Sequence, residues 1–194
     1  MKLILASTSN GRKKVLSTLK IPFEIVDSKI DEDKINPKNP EELVLKRAET
    51  KGKEVEKNLP KGNDYLIIAA DSMVNLDNKA IGKAKDKNEA IKFLKLLQGK
   101  NHSFITGIWI KNTKTGKSWK KIGQSKVTLR KLSNKEIENY ANSDDLTKYA
   151  GAYSITDSPQ NFVTKIEGSI TNVIGLPLEI IIPIISSQMN IEAK

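Results

Sequence analysis

Cysteine is absent from this 194-residue chain, which excludes disulfides, thiolate zinc sites and a cysteine nucleophile. Histidine occurs once, as His102, so a multi-histidine metal site has no ligands and a Ser-His-Asp triad is disfavoured. Carboxylates and lysines are left to do any chemistry. Arginine is scarce as well: of 33 basic residues only Arg12, Arg47 and Arg130 are arginine. Bidentate reading of guanine edges favours arginine over lysine, so sequence-specific DNA binding loses weight. No apolar run approaches the roughly 18 residues that a membrane span needs, and the first residues lack a basic region followed by a long apolar one. Neither a membrane protein nor export is expected.

What is present is charge of one sign and an ordinary apolar content. The formal net charge is +10, which attracts anions; nucleic acid, anionic membranes and phosphorylated small molecules all qualify. Hydrophobic residues make up 38% and charged residues 29%, the balance of a globular chain rather than a disordered one. At this length a single domain, or a two-lobed one, over residues 1–194 is the expectation. The Lys/Ile-rich composition suits genome bias or a hot habitat equally well.

The stretch KLILASTSNGR, residues 2–12, runs from a predicted strand (2–6) through small hydroxyl residues into a predicted helix from Gly11 to Lys20, where Val15, Leu16 and Leu19 have helical spacing. That order places the amides of the turn and helix start at the strand's C-terminal edge, where phosphates are commonly held. Ser7, Ser9 and Asn10 have the groups to bond phosphate oxygens, and Arg12 can fork onto them. The same residues also suit an ordinary N-cap and an exposed first-turn charge. A second strand, PFEIVD, leads to the acidic triplet Asp31, Glu32, Asp33, which alone reads as a solvated turn.

Asn39, Pro40 and Glu42 announce the next helix as cap, first-turn proline and capping-box partner. Val44, Ala48, Lys51 and Val55 then follow a 4, 3, 4 spacing, which puts Lys51 on the apolar stripe. An unpaired buried ammonium is costly, so Lys51 either snorkels outward or meets an anion across a cleft.

The run YLIIAADSMVNL, residues 65–76, reads as a buried central strand interrupted by Asp71 and Ser72. A carboxylate at the carboxyl end of such a strand stands where open α/β sheets bind ligands; capping the following turn is the alternative. Because the apolar run resumes after Ser72, a functional Asp71 is favoured. Lys83 follows Ile81 and Gly82, ahead of a helix opened by Asp86 and Glu89 with the stripe Ala90, Phe93, Leu94, Leu97. That turn suits a phosphate-binding lysine, as it would an exposed one.

Residues 101–129 alternate as two strands of a hairpin around TKTGK. From Lys111 to Lys131 there are eight basic residues and no acidic one, with Trp109 and Trp119 flanking. The pattern fits a nucleic-acid patch or a solvated hairpin with its tryptophans packed inward. Ser133 and Glu136 start another capped helix, and Gly168 to Leu178 lead into a last apolar helix kinked or split by Pro183.

The blocks LILASTSNGRKKVL, IIAADSMV, IGKAKD, LQGKNHSFITGI, AGAYSI and TNVIGLPL, in this order and spacing, resemble the Maf family of nucleoside triphosphate pyrophosphatases over nearly the whole chain. The resemblance implies an α/β fold, a mixed twisted sheet with flanking helices in two lobes around a nucleotide cleft. It also implies a divalent cation, Mg²⁺ or Mn²⁺, a cytoplasmic homodimer, and hydrolysis of a nucleoside triphosphate to monophosphate and pyrophosphate. Ser7 and Arg12 fall in the family's phosphate-binding first loop, Lys51 on the lysine of its second helix, Lys83 in its glycine-lysine turn. Asp71 matches the catalytic aspartate and Glu32 the acidic residue after the second strand. On that likeness Asp71, helped by Glu32, would hold the metal, and Asp71 would orient or deprotonate a water for in-line attack on the α-phosphorus. Arg12, Lys51 and Lys83 would neutralise the triphosphate.

The departures bear on the base. Family members acting on dTTP and UTP usually read Ser-Pro-Arg-Arg in the first loop, whereas this chain has Ser9, Asn10, Gly11, Arg12. They also have Asp-Thr at the catalytic strand and Ile-Gln-Gly after AGAY; here stand Asp71, Ser72 and then Ile155, Thr156, Asp157. Ser72 keeps the hydroxyl, but Thr156 replaces a glutamine associated with base recognition, so Gly11, Ser72 and Thr156 are candidate specificity positions. Tyr149 precedes AGAY where the family commonly has lysine, and Lys148 lies one position earlier. The 7-methyl-GTP branch fits worse, and Asn10 with its basic neighbours is similar to inosine triphosphate pyrophosphatases. The reading leans to dTTP, UTP and modified pyrimidine nucleotides. The alternatives are a pyrophosphatase for modified purines (7-methyl-GTP or ITP/XTP), a non-catalytic nucleotide sensor, and a nucleic-acid-binding module using the basic hairpin. Asp71 and the cleft lysines disfavour the sensor, and nucleic acid is not the expected partner.

Overall fold

The structure, a computed structural model, describes residues 1–35, 37, 39–156 and 162–189. The apolar runs at residues 2–5 and 65–76 become interior strands, β1 (Lys2–Leu5) and β3 (Tyr65–Leu76). The predicted hairpin forms as β5 (Asn101–Asn112) and β6 (Ser118–Leu129), paired from Asn101↔Thr128 to Lys111↔Ser118. Short strands β2 (Phe23–Ile25), β4 (Lys79–Ile81) and β7 (Val163–Glu167) complete a seven-stranded open sheet of order β2-β1-β3-β5-β6-β7, with β4 beside β3. Pairing is parallel for β2-β1-β3 and antiparallel elsewhere, so the sheet is mixed, as expected.

Among the described residues six helices flank it: α1 (Asn10–Ser17), α2 (Pro40–Asn58), α3 (Lys87–Leu97), α4 (Asn134–Ser143), α5 (Ile170–Ile174) and α6 (Leu178–Met189). Side chains alternate across a strand, and β3 uses both faces. Ile67 and Ala69 pack with Ala48 and Val55 of α2. Leu66, Ile68 and Ala70 pack with Val15 and Leu16 of α1 and Ile181 and Ile184 of α6. Farther along, Val74 and Leu76 join Leu94 of α3 and Tyr140 of α4 in a third cluster.

Gly107 lets α2 lie close on the sheet. A β-carbon there would stand 2.5 Å from the backbone carbonyl carbon of Val44 and 2.6 Å from the amide nitrogen of Leu45, so any side chain would lift the helix off β5.

The caps follow the sequence with two differences. Ser133 and Glu136 form a complete capping box. Asn39 instead accepts from the Glu41 amide at 2.8 Å, without Glu42 as the expected box partner. Asp86 accepts from the Glu89 amide, but the Glu89 carboxylate turns to the Lys85 amide at 2.7 Å. Pro183 lies within α6, which runs through it unsplit.

His102 is buried beneath the third cluster, with Nε2 2.7 Å from the Tyr153 hydroxyl and Nδ1 without a partner. Burial lowers its pKa from 6.5 to about 4. Between those values the unfolded chain binds the proton and the folded one does not, so stability falls as pH drops from 6.5 towards 4, by up to an amount on the order of 3 kcal/mol. Urea unfolding at about pH 7.5 and about pH 4.5 should show the wild type losing roughly 2 kcal/mol more over that interval than His102→Gln. Equal losses in the two proteins would contradict the assignment.

Candidate active site

The topology leaves a gap at Asp71. One edge of β3 pairs with β1 over Tyr65 to Ile68 and with β4 over Val74 to Leu76, so Asp71 and Ser72 fall between the two partners. On the other edge Asp71 pairs with Gly107 and Ser72 with Thr106. Successive strand residues face opposite ways, and these two are served from opposite sides.

Asp71 faces α2. The 4, 3, 4 spacing puts Lys51 on the buried face of that helix, and its ammonium lies 2.6 Å from Asp71 Oδ1 and 2.8 Å from Glu32 Oε1. Side chains of Lys51 and Asp71 are 9% and 7% exposed, so Lys51 meets an anion, the second of the two options its position allowed. Asp71 Oδ2 is buried without a partner. Glu32 stands in a 3₁₀ turn, Glu32–Lys34, where its second oxygen is 3.9 Å from Arg47. Burial works to raise the Glu32 pKa, but Lys51, Lys83 and Arg47 together hold it below the usual carboxylate value.

Ser72 faces the α1 side, where Arg12 is held at three points. Its Nε donates to the Gly175 carbonyl at 2.9 Å, Nη1 to Ser7 Oγ at 3.1 Å and Nη2 to Ser72 Oγ at 3.1 Å. Thr106 donates to the Asn172 carbonyl at 3.1 Å, so the 3.0 Å contact between Ser72 and Thr106 has Ser72 as donor. Burial lowers the Arg12 pKa against the pull of Asp71 and Glu32. Ser9 is the N-cap of α1, accepting from the Arg12 amide at 3.4 Å.

Gly175, at φ 107°, ends α5 in the left-handed region and carries the carbonyl that Arg12 uses. At Gly11 a β-carbon would stand 3.1 Å from Ile174 Cγ2 and 3.3 Å from the Ile174 carbonyl, so a larger residue there would press on α5.

These groups meet at a cleft of about 1230 Å³. Its walls include Ser7, Ser9, Arg12, Lys51, Glu32 and Lys83, together with Asp144, Lys148, Tyr149 and Thr156. Gly11 and Ser72 also line it. Asp71 itself is shielded by Lys51. Lys83 is exposed by surface area yet sits in the cleft mouth, where partial dehydration, then Arg12, push its pKa down. The Thr156 hydroxyl lies 3.0 Å from Ser154 Oγ; Asp157 lies outside the described residues. A smaller hollow of about 380 Å³ beside Asn39 and Asn75 has no cation among the described residues of its walls.

The donor set suits a hard divalent ion. Two carboxylates converge, one buried oxygen lacks a partner, and Mg²⁺ commonly takes one or two carboxylates plus phosphate oxygens and water. No cluster of three or more metal-ligating side chains occurs among the described residues, so an all-protein cage is not what they form.

Thr106, Asn172 and Gly175 were not singled out from the sequence, although they lie in the blocks ITGI and TNVIGLPL. Nothing in their spacing marks a threonine on a strand as the partner of Ser72. Among the described residues, four of the eight basic residues of the hairpin segment pair with acids of other elements: Lys114 with Asp64 at 3.3 Å, Lys120 with Glu49 at 2.7 Å, Lys126 with Glu167 at 3.9 Å and Arg130 with Glu136 at 2.7 Å. Trp109 is buried under α2, and Trp119 packs against the α1 and α6 cluster.

Comparison with known proteins gives a consistent result. A family model described as "Maf-like protein" matches residues 2–188. A protein named dTTP/UTP pyrophosphatase from Thermoanaerobacter sp. (strain X514) is 36% identical over 191 residues, 98% of each chain. Proteins of the same name from Alkaliphilus oremlandii (strain OhILAs) and Treponema denticola (strain ATCC 35405) are 40% and 38% identical, covering 90% and 91% of their own lengths and 91% of this chain in both cases.

The Lys51 bridge makes a stability prediction. Removing one partner of a buried ion pair strands the other, at a cost of about 3 kcal/mol or more. Lys51→Met should therefore unfold at clearly lower denaturant, and adding Asp71→Asn should restore more than about 1 kcal/mol of the loss. Losses that simply add in the double variant would show the two side chains to be uncoupled.

Proposed function

The chain belongs to the Maf-like protein family, and from that premise we propose that it is a nucleoside triphosphate pyrophosphatase preferring dTTP and UTP. Its products are the nucleoside monophosphate and pyrophosphate. The observation that carries this reading is a buried lysine held between two carboxylates in a nucleotide-sized cleft that Arg12 and Lys83 also line. Relatives of the same length are named for this activity.

The triphosphate enters the end lined by Arg12, Lys51 and Lys83. Its charge competes with Asp71 and Glu32 for Lys51, so binding draws the ammonium towards phosphate and uncovers the aspartate. Asp71 Oδ2, the oxygen without a partner, then orients a water against the α-phosphorus and takes its proton. The bond from the α-phosphorus to the bridging oxygen breaks, and pyrophosphate leaves with its charge neutralised by the same cations. Asp71 and Glu32 would hold a Mg²⁺ or Mn²⁺, which would supply Lewis acidity when bound. Arg12, fixed by Ser7, Ser72 and Gly175, keeps its remaining N–H donors for phosphate. Ser7 adds a hydroxyl beside it, and Ser9 chiefly holds the helix start. The same reading includes a homodimer acting in the cytoplasm.

Asp71→Asn should lower kcat on UTP or dTTP by on the order of a thousandfold with the fold intact, as loss of a general base would. Lys83→Ala should raise KM about tenfold. Separation of the products should give equal monophosphate and pyrophosphate from the wild type. Orthophosphate as the main product, or an active Asp71→Asn, would overturn the reading.

A further inference from the structure

A triphosphate held by Arg12, Lys51 and Lys83 leaves the part of the cleft lined by the end of α4 and the segment after it for the nucleoside. That wall has a different chemistry. Asp144 places a carboxylate there with the Tyr149 side chain next to it, and Lys148, which also lines the cleft, is paired with Asp145 at 3.6 Å. The Tyr149 hydroxyl donates to Asp144 Oδ2 at 2.9 Å, and the Asp145 amide donates to Asp144 Oδ1 at 2.7 Å. Each carboxylate oxygen can accept two hydrogen bonds, so both are fixed in direction and both keep accepting capacity.

The wall is also tied to the phosphate end. Lys83 forms a bridge with Ala150, the neighbour of Tyr149, and the Gly151 amide donates to the Gly82 carbonyl at 2.9 Å. The other acids of the cleft belong to the turn after β2 and have other work: Asp27 accepts from the Lys29 amide and Glu32 binds Lys51.

Resting on the pyrophosphatase reading, we propose that Asp144, held by Tyr149, is a specificity-determining residue that accepts a hydrogen bond from the ring N–H of the base. Uracil and thymine carry hydrogen on N3. Cytosine presents a lone pair there and is repelled by a fixed carboxylate. The Tyr149 ring gives the base a flat face. The selected class is therefore pyrimidine nucleotides with an imide N–H.

The test compares UTP with CTP in the full chain, by pyrophosphate release with Mg²⁺ and by binding of their non-hydrolysable α,β-imido analogues. The wild type should prefer the uracil nucleotide in both assays. Asp144→Asn, nearly isosteric, should cut the UTP-to-CTP ratio about tenfold or more, because its amide can donate to cytosine N3. Tyr149→Phe, which removes only the hydroxyl, should shift the ratio the same way by less. A ratio unchanged in Asp144→Asn, or a wild type without preference, would overturn the proposal. Preserved binding preference without pyrophosphate release would instead overturn the hydrolase reading and leave this one standing.

Discussion

The rest of the structure is arranged around one buried contact, the Lys51 ammonium between Asp71 and Glu32. A charged triad can sit in a protein interior only if its partners are held in place by surroundings that do not relax. Here β3 is buried on both faces, and Gly107 allows α2 to lie close enough for Lys51 to reach the aspartate. The contact is also unfinished: one Asp71 oxygen has no partner, and Glu32 is half-exposed to the cleft. A ligand with its own negative charge can take over Lys51 and give both carboxylates new work. In the proposed mechanism the triad is a resting state that the charge of the substrate disrupts.

The second organising feature is the division of labour across the strand. Asp71 and Ser72 are neighbours in sequence and face opposite sides. Lys51 reaches the aspartate from α2, while Arg12 reaches the serine from α1 and is locked by the Gly175 carbonyl. The chain of Arg12, Ser72, Thr106 and the Asn172 carbonyl ties the first loop to α5. In the proposed mechanism an arginine so held would lose little freedom on meeting phosphate, which favours tight, oriented binding. Glycine at position 11 belongs to this packing, since the start of α1 lies against Ile174.

Much of this was legible in the sequence because the signals were local. Apolar runs marked β1 and β3, the helical spacing of Val44, Ala48 and Val55 put Lys51 on a buried stripe, and the break in YLIIAADSMVNL marked Asp71. The cap at Ser133 follows from two residues three apart. What was not legible depends on contacts distant in sequence. No local pattern pairs Arg12 with Gly175 or Thr106 with Ser72, and none shows that Lys51 covers Asp71. Glu89 turns to Lys85 rather than closing its capping box because a neighbouring amide competes for the same carboxylate. The basic run from Lys111 to Lys131 looked unopposed only because its partners Asp64 and Glu49 lie in other elements.

The central claim is that a water placed by Asp71 attacks the α-phosphorus and displaces pyrophosphate. Turnover of UTP in ¹⁸O-labelled water, with mass analysis of both products, tests it most directly. The account predicts one labelled oxygen in uridine monophosphate and none in pyrophosphate. Label in the pyrophosphate would mean attack on the β-phosphorus and would contradict the assignment of Asp71 and of the cleft around it.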